Sequence, residues 1–325
     1  MMSGKEKILW GLAVCVLVFL YLASSTNLII KEKKVQIHRV SIILDDVNDS
    51  YYQNFKKGVE QAAREYHVDT SYITLYEEDN SSQQIELVKR EINDQAEAVV
   101  IVPVNREAVE KEFGEKKWST PIVAVGSGTF GDSVNSNIYM DCYEAGRMLA
   151  GEAQQELGSE VVYYLFAQDF SWGNSQLVFD GVKNVLEEAG AEYIVKEKSE
   201  GQDFRSVIES MVYPATTQKV ALIALDRESL TEISDIFKVN EGYRLHVEGV
   251  YGVGSTTSLL NSLESGIIDG LITQNQYLSG YLSIQKAVEA IGIPNLKENV
   301  KLDSYYITRE NMRSREYERM LYPME

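Results

Sequence analysis

The sequence predicts an α/β protein built as two doubly wound parallel-sheet lobes, preceded by one N-terminal transmembrane helix. Three observations carry this reading. Short apolar runs alternate with stretches whose apolar positions recur at helical spacing, which implies parallel strands covered by helices on both faces. The rhythm runs to Gly128 and restarts at Val161, so two sheets follow one another along the chain. Ahead of both lies a long uncharged segment.

That segment comes first in order. The sixteen residues Ile8 to Ala23 carry no charge, and Ser24 to Asn27 lead into Leu28-Ile29-Ile30. Sixteen helical residues reach only about 24 Å, short of a ~30 Å hydrocarbon core, whereas the stretch to Ile30 reaches roughly 34 Å. Residues 1–34 are therefore read as a membrane anchor. A cleaved signal peptide, with Ala23 and Ser25 before the cut, is the alternative, but the run is long for a signal core of ~7–15 residues. Lysines flank both ends (Lys5 and Lys7; Lys31, Lys33 and Lys34), so charge bias assigns no orientation. A lipid-attachment role for Cys15 is disfavoured, because Val14 precedes it and apolar chain follows. The expected location is the cell membrane, single-pass, with the soluble part outside the cytoplasm; secretion after cleavage is the alternative.

Beyond Lys34, Val40–Leu44 reads as a buried strand ending at Asp45-Asp46. Tyr52, Phe55, Val59, Ala62, Ala63 and Tyr66 then share one helical face. Ile73–Leu75 is a second strand, Ile85, Val88 and Ile92 mark a second helix, and Val99–Val102 is a third strand closed by Pro103. Ile122–Val125 is a fourth, followed by Gly126-Ser127-Gly128. In the second half, Val161–Phe166 is a strand, and Leu177, Val178, Val182, Val185 and Leu186 form a helix face ending at Gly190. Further strands fall at Tyr193–Val195, Val220–Leu225, Val247–Tyr251 and Leu271–Thr273. Ligands of open α/β sheets sit beyond the carboxyl ends of the strands. That rule nominates Asp45–Tyr52, Pro103–Asn105, Gly126–Thr129, Gln168–Trp172, Asp226–Arg227, Tyr251–Gly254 and Gln274–Tyr277.

Composition narrows the function classes. With 44% hydrophobic and 25% charged residues the chain is globular. A net charge of −18 opposes nucleic acid and anionic lipid surfaces. The only cysteines, Cys15 and Cys142, lie one in the apolar segment and one in the soluble part, so the fold relies on its core and not on disulfides. His38, His67 and His246 are scattered without a second ligand at helical spacing, which argues against a metal, and no cofactor is indicated. No Gly-x-Ser-x-Gly elbow occurs, and Cys142 has no His nearby. Gly252-Val253-Gly254-Ser255 lacks the third glycine and the lysine of phosphate loops; it reads as a tight turn with Ser255 capping the helix Thr256–Leu263. The chain is not expected to be an enzyme. Nor is a regulator of transcription expected, since residues 1–37 hold only the apolar segment and its flanks and no helix-turn-helix pattern.

Asn48-Asp49-Ser50-Tyr51-Tyr52, followed by Gly58 and Ala62-Ala63, resembles the opening of type I periplasmic solute-binding proteins. These are the ribose- and galactose-binding class, whose fold also serves as the effector domain of lac-repressor-like regulators. Similar landmarks follow in order. They are Gln83-Gln84 ahead of the second helix, Ile101–Asn105, Thr120–Val123, Asp141–Gly146, Gly181, Asp203-Phe204, Asp226, and Gly266 with Gln274 and Gly280. The resemblance spans residues 38 to 313 and implies two lobes joined by three crossovers that close on a ligand. It divides the chain into 36–141 plus 275–302 and 142–274 plus 303–325. It implies that Tyr51 and Tyr52 stack on a sugar, with Phe204 opposite, since the C–H face of a pyranose packs on rings while its hydroxyls need fixed polar partners. Trp172, placed in a loop after a strand, is a further candidate.

The departures from that pattern redirect the ligand. Gly126 and Ser127 stand where sugar binders place an acid–base pair, and the arginine before the glycine matching Gly181 is missing. Tyr251 occupies an often acidic position and Asp49 one often Asn, while Asp226 and Gln274 are retained. Losing charge-assisted bonds weakens or redirects recognition of ribose or glucose in the usual pose, and Asp49 and Asp226 suit an amino sugar or another ligand carrying donors. Asp141 is read as a support of the first crossover. The expected ligand site is Asp49, Tyr51, Tyr52, Ser127, Trp172, Phe204, Asp226, Tyr251 and Gln274. The expected function is a membrane-tethered solute-binding protein for a small polar ligand, a carbohydrate or derivative, serving an ABC permease or a membrane sensor kinase. A ligandless scaffold for a partner protein is the alternative, and a secreted glycosidase is a weaker one because it requires paired carboxylates across the cleft.

Overall fold

The computed structural model describes residues 3–25, 36–46, 50–77, 80–114, 118–127, 130–170, 173–198, 203–212, 218–293 and 295–323. The chain forms two units, residues 1–37 and 38–325. In the first, α1 (Gly4–Ser25) is one continuous helix whose stretch Gly4–Ala23 has a mean hydropathy of 1.9. Twenty-two residues at 1.5 Å each give about 33 Å, long enough for a hydrocarbon core. The part of the expected span from Thr26 to Ile30 lies outside the described residues.

The second unit holds two sheets. The chain runs β1 (His38–Ile43), α2 (Gln53–Tyr66), β2 (Val68–Ile73), α3 (Ser81–Asn93), β3 (Ala98–Ile101), α4 (Arg106–Gly114), β4 (Ile122–Ser127) and β5 (Ser136–Met140). Next come α5 (Cys142–Leu157), β6 (Val162–Ala167), α6 (Gly173–Glu188), β7 (Tyr193–Glu197), α7 (Phe204–Val212), β8 (Val220–Ala224), α8 (Arg227–Val239), α9 (Glu241–Arg244), β9 (Gly249–Val253), α10 (Thr257–Glu264) and β10 (Gly270–Gln274). The chain then returns through α11 (Gln276–Gly292), β11 (Glu298–Leu302), β12 (Ser304–Thr308) and α12 (Arg315–Leu321). The sheet orders are β11-β5-β4-β3-β1-β2 and β12-β10-β9-β8-β6-β7. All pairings are parallel except β10 with β12. The chain passes from one sheet's territory to the other through single residues at Asp141, Asn275 and Asp303.

Alternation along each strand sends side chains to two cores per sheet. Val40, Ile42, Ala98 and Val100 pack under α2 and α11, while Ile43, Val99 and Ile101 pack under α3 and α4. One helix pair in each lobe crosses backbone to backbone. A Cβ on Gly58 would lie 1.9 Å from the Tyr277 carbonyl oxygen, and one on Gly280 2.0 Å from that of Phe55. The same reciprocity joins α5 and α6, through Gly146 against Val178 and Gly181 against Tyr143.

Several sequence expectations shift. The second strand ends at Ile73 instead of starting there. Gln83 and Gln84 lie inside α3, not ahead of it, because Asn80 caps that helix by accepting from Gln83 N–H at 2.8 Å. Thr256, not Ser255, caps α10: its hydroxyl accepts from Leu259 N–H, while Ser255 takes a hydrogen bond from Thr273. The strand expected at Val247–Tyr251 runs two residues later, to Val253.

Candidate functional site

The carboxyl ends of both sheets face one cavity of about 760 Å³, within the ~300–1,000 Å³ usual for small-molecule sites. Two devices hold its first-lobe rim. Gln84, 1% exposed, donates to the carbonyls of Leu44 (3.0 Å) and Val102 (2.7 Å) and accepts from Val104 N–H (2.9 Å). One side chain thus ties the ends of β1 and β3 together. Asn105 accepts from Ala108 N–H at 2.8 Å and starts α4 there. On the second lobe Asp226 is the counterpart. One oxygen accepts from Ser229 N–H (2.7 Å) and caps α8; the other accepts from Gln168 N–H (2.9 Å) and Ser175 Oγ (3.4 Å). Burial raises the Asp226 pKa against those bonds.

Between the rims stands an aromatic and ionic group. Tyr51 and Tyr52 form a short 3₁₀ turn after β1, their rings edge to face at 5.0 Å. Tyr52 is buried and its hydroxyl donates to Asp45, while the Tyr51 hydroxyl accepts from Gln276 Nε2 at 2.6 Å. Arg227, the first residue of α8, crosses from the second lobe and lays its guanidinium 3.9 Å from the Tyr51 ring centroid. It approaches Asp46 at 3.6 Å, and its Nε donates to Glu228 at 2.6 Å. Burial opposes the Arg227 charge, but Glu228, Tyr51 and Asp45 outweigh it and hold the group firmly protonated. Burial pushes the Asp45 carboxyl up to about 6, against the hydrogen bond from Tyr52 and the field of Arg227.

Of the residues expected in the site, Tyr51, Tyr52, Asp226 and Gln274 line this cavity. Asp49 and Trp172 lie outside the described residues, as does the side chain of Ser127, whose backbone ends β4. Phe204 and Tyr251 are corrections. Phe204 opens α7 with its ring turned onto the second sheet, 2% exposed and 4.9 Å from Phe166. Tyr251 sits in the middle of β9, where alternation sends it into the core beneath α5, its hydroxyl donating to Glu156 at 2.7 Å. The residue of β9 that reaches the cavity is Val253, at the strand's end. Asp45, Asp46, Gln168, Arg227 and Gln276 were not among the residues expected in the ligand site, although the strand-end rule nominated their segments. Among the described residues no three His, Cys, Asp or Glu side chains converge as metal ligands.

Two doubly wound lobes around a strand-end cleft, with three chain passages between them, define a bilobal binding protein. The chain belongs to the periplasmic binding protein domain family, whose profile matches residues 40–292. No curated protein matches it in sequence. Solved structures share the fold. An ABC transporter solute-binding protein from Agrobacterium vitis, bound with α-D-tagatopyranose, superposes with a TM-score of 0.74 at 17% identity, over 88% of this chain and 100% of that one. A carbohydrate transporter solute-binding protein from Agrobacterium radiobacter in complex with D-arabinose gives 0.74 at 19%, over 90% and 100%. An ABC transporter solute-binding protein from Bacillus halodurans with bound myo-inositol gives 0.73 at 18%, over 88% and 99%. At such identities the likeness concerns the fold.

Proposed function

We propose that this protein captures a small polyhydroxylated ligand, a carbohydrate or close derivative, between its lobes and presents it to an ABC permease. The observation that carries this is the cavity of about 760 Å³ shared by the carboxyl ends of both sheets, with the Tyr51 ring in its wall and polar groups from both lobes around it. A tyrosine ring supplies an apolar face for sugar C–H groups, and fixed amides and carboxylates satisfy hydroxyls. The ligands of the fold relatives (tagatose, arabinose, myo-inositol) are all of this size and chemistry. Tyr51 and Gln274 are the proposed contacts. Asp226 acts by positioning the rim, since its oxygens are already engaged. We further infer that α1 remains as a membrane tether, its length supporting a span. A tethered receptor meets a fixed membrane partner, which accommodates a sensor kinase in place of a permease.

Calorimetry of the full chain in mild detergent against mono- and disaccharides, amino sugars and inositols tests the reading. Saturable heat with at least one is expected; silence from all, in folded protein, refutes it. Alkaline carbonate washing of cell membranes tests the tether: retention in the membrane fraction is expected, and quantitative release refutes it.

A further inference from the structure

We propose that the cleft selects a ligand carrying a positive charge, an amino sugar or comparable polyhydroxylated amine, and that the Arg227 guanidinium holds the place its cationic group takes. The inference rests on the reading of the cleft as a ligand site. Its basis is a juxtaposition: the guanidinium lies 3.9 Å from the Tyr51 ring centroid, 3.6 Å from Asp46 and within hydrogen-bond reach of Glu228. A cation over a phenol face and among carboxylates is the arrangement by which proteins hold cationic groups. Here the cation belongs to the opposite lobe and sits on a long flexible stem. A competing cation displaces it without disturbing either core.

Two further features agree. Five carboxyl groups (Asp45, Asp46, Glu107, Asp226 and Glu228) line the cavity against two guanidinium groups. One of those two, Arg106, is bound to Glu107 at 3.0 Å. Once Arg227 swings out, the Tyr51 face looks onto an excess of negative charge, a field that repels sugar acids and phosphorylated sugars. Independently, Gln274 Oε1 on the cavity wall is shielded from solvent and has no hydrogen-bond partner among the described residues. A buried acceptor without a donor calls for one from the ligand. An ammonium group offers three donors and no acceptor, which suits both features, whereas a neutral hexose in the same place would take the guanidinium from Asp46 and Glu228 and return no charge.

The test has two arms. In the first, the full chain in mild detergent is titrated by calorimetry with D-glucosamine, D-galactosamine, D-glucose, D-galactose and D-glucuronate. A hexosamine is expected to bind about tenfold tighter than its hexose, with the margin shrinking as salt rises and no heat from glucuronate. Hexoses binding as tightly as hexosamines overturns charge selection and leaves the solute-binding reading standing. Silence from all five tells against a carbohydrate ligand, and the second arm then decides the charge class alone. In that arm, about 10 mM methylguanidinium is expected to raise the melting temperature of R227A by ~1–2 °C and to leave the wild type unmoved. No shift in R227A overturns the proposal, as does weaker hexosamine binding by R227A than by wild type, which would make Arg227 a direct ligand contact. If R227A does not fold, D46N and E228Q substitute for it. Each is expected to weaken hexosamine binding about threefold while hexose binding holds, and equal losses for both sugars overturn the proposal.

Discussion

Replacing Gly58 with Ala tests the close helix crossing on which the first lobe is built. The new Cβ would stand 1.9 Å from the Tyr277 carbonyl oxygen and 2.8 Å from Tyr281 N. Neither atom is a mobile side-chain end. Ordinary contact begins near 3.4 Å, so α11 must retreat by more than 1 Å along its interface with α2, loosening Phe55 and Val59 in the core beneath. Overpacking of this kind costs about 1–3 kcal/mol or more, against which the better helix propensity of Ala returns only ~0.5–1 kcal/mol. At ~2.1 cal/mol/K of unfolding entropy per residue, a net loss of about 2 kcal/mol corresponds to a fall of roughly 3 °C in melting temperature for residues 38–325. Gly151 provides the control. It lies inside α5, and a Cβ there meets nothing within 4 Å. Gly151→Ala is therefore expected to stabilise by ~0.5–1 kcal/mol, a rise of about 1–2 °C. Differential scanning calorimetry of both variants decides the matter. A Gly58→Ala protein as stable as wild type, or a Gly151→Ala protein that falls as far, would refute the reasoning.

Three other outcomes follow from the site. Gln84→Ala removes the tie between the ends of β1 and β3 and strands the buried carbonyls of Leu44 and Val102. It is expected to cost about 2–4 kcal/mol by denaturant unfolding, and a loss below ~1 kcal/mol refutes the tie. Asp45, facing Tyr52, Asp46, Arg227 and Glu228, has a folded-state pKa of about 6 against 3.8 for the free side chain. The folded protein thus holds that proton longer than the unfolded chain, so its contribution to stability falls as pH rises from about 4 to 6, by at most ~3 kcal/mol. Asp45→Asn should flatten that part of the stability–pH curve, and an unchanged slope excludes Asp45 as its source. Tyr51→Ala should weaken ligand binding about tenfold while the melting temperature stays within a few degrees; unchanged affinity removes the ring from the site.

The buried strands were legible because their runs are apolar through and through: Val99 to Ile101 and Val220 to Ala224 are covered on both faces, as their sequence demands. The strand at Ser136–Met140 escaped notice because two of its fully enclosed positions are Ser136 and Asn137, and Glu298–Leu302 because an exposed edge strand tolerates Glu298 and Lys301. The helix at Arg227–Val239 went unnamed although Leu230, Ile233, Ile236 and Phe237 recur at helical spacing behind the Asp226 cap. For the site, the strand-end rule found the segments but not the directions of their side chains. A two-residue error in the limits of β9 was enough to put Tyr251 in the cleft instead of the core. The reach of Arg227 to Tyr51 depends on how two lobes meet, and local pattern carries no trace of that.

The three passages between the lobes are each one residue long, and two of those residues already have another duty. Asp141 begins α5 by accepting from Glu144 N–H at 3.1 Å and also accepts from Lys301 at 2.8 Å; Asn275 begins α11 by accepting from Leu278 N–H at 2.9 Å. A pivot that doubles as a helix start has few torsions to spend, since any large swing in φ or ψ withdraws the oxygen from the first turn it serves. Opening of the two halves therefore has to turn on torsions that leave those two helix starts intact, as a door turns on its pins and not as beads turn on a string. The same economy makes the pivots vulnerable: Asn275→Gly would free the arc and fray the start of α11 in one stroke.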